Sequence, residues 1–192
     1  GMESIAITDH GAMYGVIEFY KKALKEGIKP IIGMEGYMTS GNLRDRPERG
    51  KVQNFHLLLL AKNNEGYKNL MQLSSIAHLE GYYYRPRFDR ETLTKFSKGL
   101  ICTSACPQGE LAQALINDDI KEARKVARWF VDIFGEDYYL EIQRHDYAKA
   151  ADEVDNNQLK QDLRQMAGNE KNILLGVQKI SRELGIPIIA TN

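Results

Sequence analysis

Across 192 residues, Lys+Arg and Asp+Glu both number 26, so no net field draws the chain onto a polyanion or a membrane surface. No apolar run approaches the ~18–20 residues of a bilayer span and none reads as a signal peptide, which excludes a membrane partner from the expectations. Cys102 and Cys106 cannot make a disulfide framework, and their spacing is not that of a zinc knuckle; a cytoplasmic, single-domain protein with one substantial core is expected.

The first strand-like run, residues 4–8, leads directly into Asp9-His10-Gly11. Short apolar and β-branched runs of this kind suit a parallel strand buried on both faces. In α/β folds, catalytic and metal-binding side chains collect at strand C-terminal ends. His10 is therefore a candidate ligand or base; the alternative is that Asp9 caps a turn beside a bystander imidazole. A helical stripe over 16–26 follows and stops at Gly27. The next run, 30–38, carries Glu35 among apolar neighbours, where an ionised carboxylate calls for a facing cation or donor unless it points to solvent. His56 begins the apolar run His-Leu-Leu-Leu-Leu-Ala at the start of strand 55–61. An antiparallel hairpin through the polar stretch 41–53 would put Glu35 and His56 at one end of the sheet.

Helical periodicity continues over 64–78, where His78 reads as a surface or packing residue. Strand Leu100–Thr103 precedes Ser104-Ala105-Cys106-Pro107, and Pro107 suits the first position of a helix. That placement would set the Cys106 thiol in a helix macrodipole favouring thiolate; the alternative is a small buried cysteine. A helix over Ile120–Phe134, a strand over Tyr138–Gln143, a helix over 171–184 and a strand over 186–191 complete the pattern. His145 stands at a strand end without an evident partner, and the polar stretch 148–169 reads as a surface insertion. Strands alternating with helices mean βα units, a mostly parallel sheet and most of an α/β barrel. Strands lie against both termini, so the chain is expected to be a fragment. His10, Glu35, His56 and Cys106 together offer imidazole, carboxylate, imidazole and thiolate, a mixed set suited to zinc or a similar transition metal.

At these residues the chain resembles the PHP (polymerase and histidinol phosphatase) domain of bacterial DNA polymerase III alpha subunits. The resemblance runs through Ala6-Ile7-Thr8-Asp9-His10-Gly11, Gly33-Met34-Glu35 and His56-Leu57-Leu58-Leu59-Leu60-Ala61-Lys62-Asn63. It continues through Glu80-Gly81-Tyr82-Tyr83-Tyr84-Arg85-Pro86-Arg87, Thr103-Ser104-Ala105-Cys106, Tyr139-Leu140-Glu141-Ile142-Gln143 and Ala190-Thr191-Asn192. The Gly-Tyr-Tyr-Tyr-Arg-Pro-Arg block favours the polymerase branch over stand-alone phosphatases of the histidinol-phosphate type.

The resemblance implies an α/β fold: a distorted seven-stranded βα (TIM-like) barrel, here incomplete at both ends, with a metal cluster at the strand C-terminal ends. Within 1–192 it carries the metal-ligand role onto His10, Glu35, His56 and Cys106, with Asp9 orienting a ligand. The family's early His-x-His and late Asp-x-His find no match in the chain, and Ala105 stands where glycine is usual. It further implies a divalent metal, Zn or Mn, in the complete domain, and metal-dependent 3′–5′ exonuclease or phosphoesterase chemistry, or else a scaffold role in the polymerase. The partners implied are the rest of the alpha chain, DNA through the whole subunit and a proofreading exonuclease subunit. Tyr83, Arg85 and Arg87, with Tyr82, Tyr84 and Arg90, are expected to contact single-stranded DNA or adjoining polymerase domains. The paired aspartates of polymerisation fall in a later domain.

Overall fold

The computed structural model describes residues 1–48, 51 and 53–191; Asn192 and three positions of the 41–53 connection lie outside the described residues. Strands β1 (Ser4–Ile7), β2 (Lys29–Thr39), β3 (Asn54–Ala61), β5 (Leu100–Thr103), β6 (Tyr138–Gln143) and β7 (Ile188–Thr191) join in that order into one curled half-barrel sheet. Two-residue β4 (Arg87–Phe88) adds to β2 off this path. The helices are α1 (Val16–Lys25), α2 (Asn64–Leu79), α3 (Arg90–Lys95), α4 (Glu110–Ile116), α5 (Ile120–Phe134), α6 (Tyr147–Asp152) and α7 (Asn157–Leu184).

Strand direction decides where chemistry can gather. β3 alone runs against its neighbours, antiparallel to both β2 and β5, while β1–β2, β5–β6 and β6–β7 are parallel. The start of β3 therefore shares an end of the sheet with the C-terminal ends of β1 and β5. Leu57 and Leu59 of β3 are buried, and so are Leu70 and Leu73 of α2, Phe130 of α5 and Val177 and Ile180 of α7. This single apolar layer holds the sheet against its helices and fixes strand register, since a one-residue slip would turn those leucines outward. The helix starts are explicit in sequence: Asn63, Asp89, Asp119 and Asn156 each accept a backbone N–H three residues on.

The last helix differs from its expected extent. The stretch 148–169 is helical except at 153–156, comprising most of α6 and the first half of a 28-residue α7. Its apolar stripe is sparse until Ile173, where α7 meets the core, so periodicity shows only the buried half. The stretch is nonetheless seated through Ala151, which is fully buried between α6 and α7. α7 closes at Gly185, whose φ of 69° is a left-handed cap conformation open to glycine at no steric cost. No helix of the described residues is long and apolar enough to cross a membrane.

Candidate metal centre

β1 stops at Ile7, but its path re-engages β2 at a single bridge, His10 against Glu35. Glu35 N–H donates to the Asp9 carbonyl at 3.1 Å, and Gly11 N–H donates to the Glu35 carbonyl at 2.8 Å. Two backbone bonds thus hold the His10 imidazole beside the Glu35 carboxylate. Gly11 has φ 64°, and a Cβ there would stand 2.7 Å from Pro86 and 3.0 Å from the Tyr37 ring. Only glycine allows this approach. From the other side, β2–β3 pairing puts His56 opposite Tyr37, two residues past Glu35. His56 N–H donates to the Gln108 carbonyl at 3.1 Å, which ties the turn after β5 to the start of β3 and brings Cys106 into reach.

The result is one cluster from four distant segments. His56 Nδ1 lies 2.6 Å from Glu35 Oε1, and His10 Nε2 lies 3.4 Å from Glu35 Oε2. Ligand atoms of these three residues fall within 4.8 Å of one another. Cys106 Sγ sits 3.5 Å from His56 Nδ1 and 3.6 Å from Glu35 Oε1. The His56 and Glu35 side chains are 9% and 17% exposed, whereas that of His10 is 59% exposed, so the cluster opens to solvent on its His10 side.

Electrostatics follow from that geometry. Burial pushes the Glu35 carboxyl up, but its bond with His56 and then the charge of His10 outweigh burial and hold it below the usual range. The Cys106 sulfur first and the Glu35 carboxylate second raise the His56 imidazole from 6.5 to about 9. A proton therefore binds this cluster tightly, and a metal cation competes with it for the same donors. Two nitrogens, an oxygen and a sulfur converging from the ends of rigid strands fit a divalent transition metal.

Three expectations need correction. Cys106 does not begin a helix: α4 starts at Glu110 with Gly109 as its N-cap, and Pro107 lies in the preceding turn. The thiol is aimed instead by Ala105, whose φ of 58° is left-handed, and it accepts the Gln108 N–H at 3.4 Å. Glycine, the residue the resemblance leads one to expect at position 105, would adopt this left-handed conformation without strain. Asp9 makes no hydrogen bond to a ligand side chain among the described residues; its carboxylate accepts the Gly15 N–H at 3.3 Å and fixes the loop that carries His10. Arg87 is fully buried and donates to the carbonyls of Gly81, Leu43 and Asp45, so it is unavailable to DNA or a neighbouring domain.

Other residues of the 82–87 block take separate places. Tyr83 donates its hydroxyl to the Pro47 carbonyl, with the Arg46 and Arg87 guanidinium groups over its ring. Tyr82 and Tyr84 are exposed. Arg85 is exposed, and its guanidinium lies 5.4 Å from the Tyr37 ring, which in turn meets His56 edge-on at 5.1 Å. Sequence reasoning missed Tyr37 as a wall of the site. Its signal was the alternation along β2, which turns residues 35 and 37 to the same face. His78 caps its own helix turn against the Ser74 carbonyl and lies far from the cluster in role, bonded to Tyr14. His145 does have a partner, Glu170, at 3.4 Å.

Comparison with known proteins finds relatives along the whole chain. The DNA polymerase III subunit alpha of Borreliella burgdorferi is 47% identical over 193 residues, covering 100% of this chain and 15% of the relative. That of Helicobacter pylori strain 26695 is 44% identical over 203 residues, again covering 100% of this chain and 15% of the relative. That of Chlamydia trachomatis is 42% identical over 195 residues, with 98% and 15% covered. The chain thus spans about 15% of the length of the curated relatives it matches. The model of the PHP domain matches residues 1–145, a span that holds all four clustered side chains and most of the sheet that positions them, and the chain belongs to the PHP domain family.

Proposed function

We propose that residues 1–192 form the PHP region of a DNA polymerase III alpha subunit, and that their metal centre hydrolyses phosphodiesters at the 3′ end of DNA. The observation that carries this reading is the convergence of His10, Glu35 and His56 within 4.8 Å, with the Cys106 thiol beside them. The exposed His10 imidazole leaves the cluster open to an approaching substrate on that side. Similarity to polymerase subunits across the whole chain speaks against a stand-alone histidinol-phosphatase-like enzyme.

A divalent ion held by these donors, zinc or manganese, would polarise a phosphoryl oxygen and supply an acidic water at neutral pH. His56 and Glu35 hold the protonic balance of the site, and Tyr37 closes it on one side. Arg85, a cation on the Tyr37 face, is placed to hold a phosphate of the incoming strand. The rest of the alpha chain, and DNA through it, are the partners of this reading, in the cytoplasm where replication proceeds. A proofreading exonuclease subunit docked on this region is the scaffold reading, favoured by the exposed Tyr82 and Tyr84.

The test is primer extension and primer degradation by one preparation of the full-length subunit, wild type and His10→Ala. Degradation that falls at least ~100-fold in the variant, with extension and melting temperature kept, supports a hydrolytic centre. Degradation unchanged in the variant, or absent from wild type with every divalent metal, leaves the scaffold reading.

A further inference from the structure

Beside the metal centre lies a second feature that none of the ligands explains. A cavity of about 350 Å³ runs between the turn after β5, the end of β6 and the buried face of α7. Leu111, Ile142, Ile173, Leu174 and Val177 supply apolar walls, and its volume is at the lower end of the ~300–1,000 Å³ typical of ligand sites. Cys106 belongs to both places: it lines the cavity, and its sulfur is 3.5 Å from His56. A molecule lodged here therefore reaches the metal centre without crossing any other element.

The chemistry of the lining selects the part of a nucleotide that enters. Among the described residues no lysine or arginine lines the cavity, while the carboxylates of Glu141 and Glu170 do, so a phosphate is unwelcome inside. A nucleobase has apolar faces and polar edges and suits such walls. Among its lining residues the His145 and Tyr147 rings stack with centroids 5.0 Å apart, and Glu170 accepts the His145 backbone N–H at 2.9 Å with the His145 Nδ1 3.4 Å away. The outer face of that ring pair is a platform of the kind on which unpaired bases stack without their sequence being read. Asn169, on α7, also lines the cavity, and its side-chain amide has no hydrogen-bond partner among the described residues, leaving a donor and an acceptor for a base edge.

We infer that this cavity holds the base of the 3′-terminal nucleotide while its phosphate lies at the metal centre. The inference rests on the phosphoesterase reading above and adds the substrate form: a base must leave its duplex to enter, so the site takes unpaired or mispaired 3′ ends.

Photocrosslinking tests this on the full-length subunit. The probe is an oligodeoxynucleotide with 4-thiothymidine at its 3′ terminus and a phosphorothioate at the last linkage to slow cleavage. Adducts should map to residues 145–147 or 166–177, and should be about tenfold fewer when the same terminus is base-paired. Leu174→Trp, which fills the slot, should lower adducts about tenfold with metal content unchanged, and Asn169→Ala, a milder change that spares the core, about threefold. Adducts that map elsewhere, no adducts, or equal yields in both variants and wild type would overturn the assignment. His10→Ala separates the two claims. Lost hydrolysis with adducts retained supports both, and retained hydrolysis with adducts retained overturns the metal reading alone.

Discussion

Two carboxylates sit inside apolar strands of this sheet, Glu35 in β2 and Glu141 in β6, and their surroundings have opposite chemistry. Glu35 faces two imidazoles and a thiol, groups that titrate and bind metals. Glu141 is 5% exposed and accepts hydrogen bonds from Thr103, Thr191 and the Gln143 amide, none of which changes charge. Its own N–H donates to Ser104 Oγ, which ties β6 to the end of β5. The first carboxylate sits among donors that fit a cation; the second bolts three strand ends together. An acid in an apolar strand thus announces only that donors exist. Whether those donors ionise separates a site from a brace.

The largest contrast should come from deleting each acid. Glu35→Ala should weaken metal binding at least ~100-fold by elemental analysis, because the carboxylate bridges both imidazoles. Glu141→Ala should leave metal content intact and cost ~3 kcal/mol, about 10 °C in melting temperature, since one buried and two part-buried donors lose their acceptor. Metal loss from both variants would merge the two regions into one. Neighbouring arginines extend the contrast. Arg87→Ala should cost ~3 kcal/mol in urea unfolding by orphaning three carbonyls, whereas exposed Arg85→Ala should stay within ~0.5 kcal/mol and slow strand degradation about tenfold.

Protons give a finer test. His56 titrates near 9 in the folded chain against 6.5 normally, so its protonation stabilises the fold most fully below pH 6.5. That contribution is lost as pH rises through about 9. Melting temperature of the chelator-treated protein should therefore fall by several degrees over this window, and His56→Gln should flatten the fall. Metal affinity should move oppositely, rising about tenfold per pH unit below about 9 as one proton is displaced. A small effect is expected from Asp9→Ala, ~0.5–1 kcal/mol for one lost loop bond, with metal content nearly unchanged.

Much of this was legible in the residues. Apolar runs and helical stripes marked every described strand but β4, and helices α1, α2, α5 and the buried half of α7, and the polar connection allowed the antiparallel β2–β3 pairing that the structure has. Glu35 stood out because an acid among Ile31, Ile32 and Met34 breaks the pattern. Glu141 broke its own strand in the same way, between Leu140 and Ile142, yet its partners Thr103 and Thr191 come from 38 and 50 residues away, beyond any local pattern. Arg87 read as a surface cation because its acceptors are backbone carbonyls, which leave no trace in side-chain chemistry. The first half of α7 was hidden because a mostly solvated helix carries little apolar periodicity, and β4 because two residues carry none.

The central claim, that His10, Glu35, His56 and Cys106 form one metal centre, is tested most directly by anomalous diffraction from crystals of the full-length subunit, collected across the zinc and manganese absorption edges. A peak bonded to His10 Nε2, Glu35, His56 Nδ1 and Cys106 Sγ is the predicted result. An intact side-chain cluster with no anomalous peak, or a peak bonded to other residues, would contradict it.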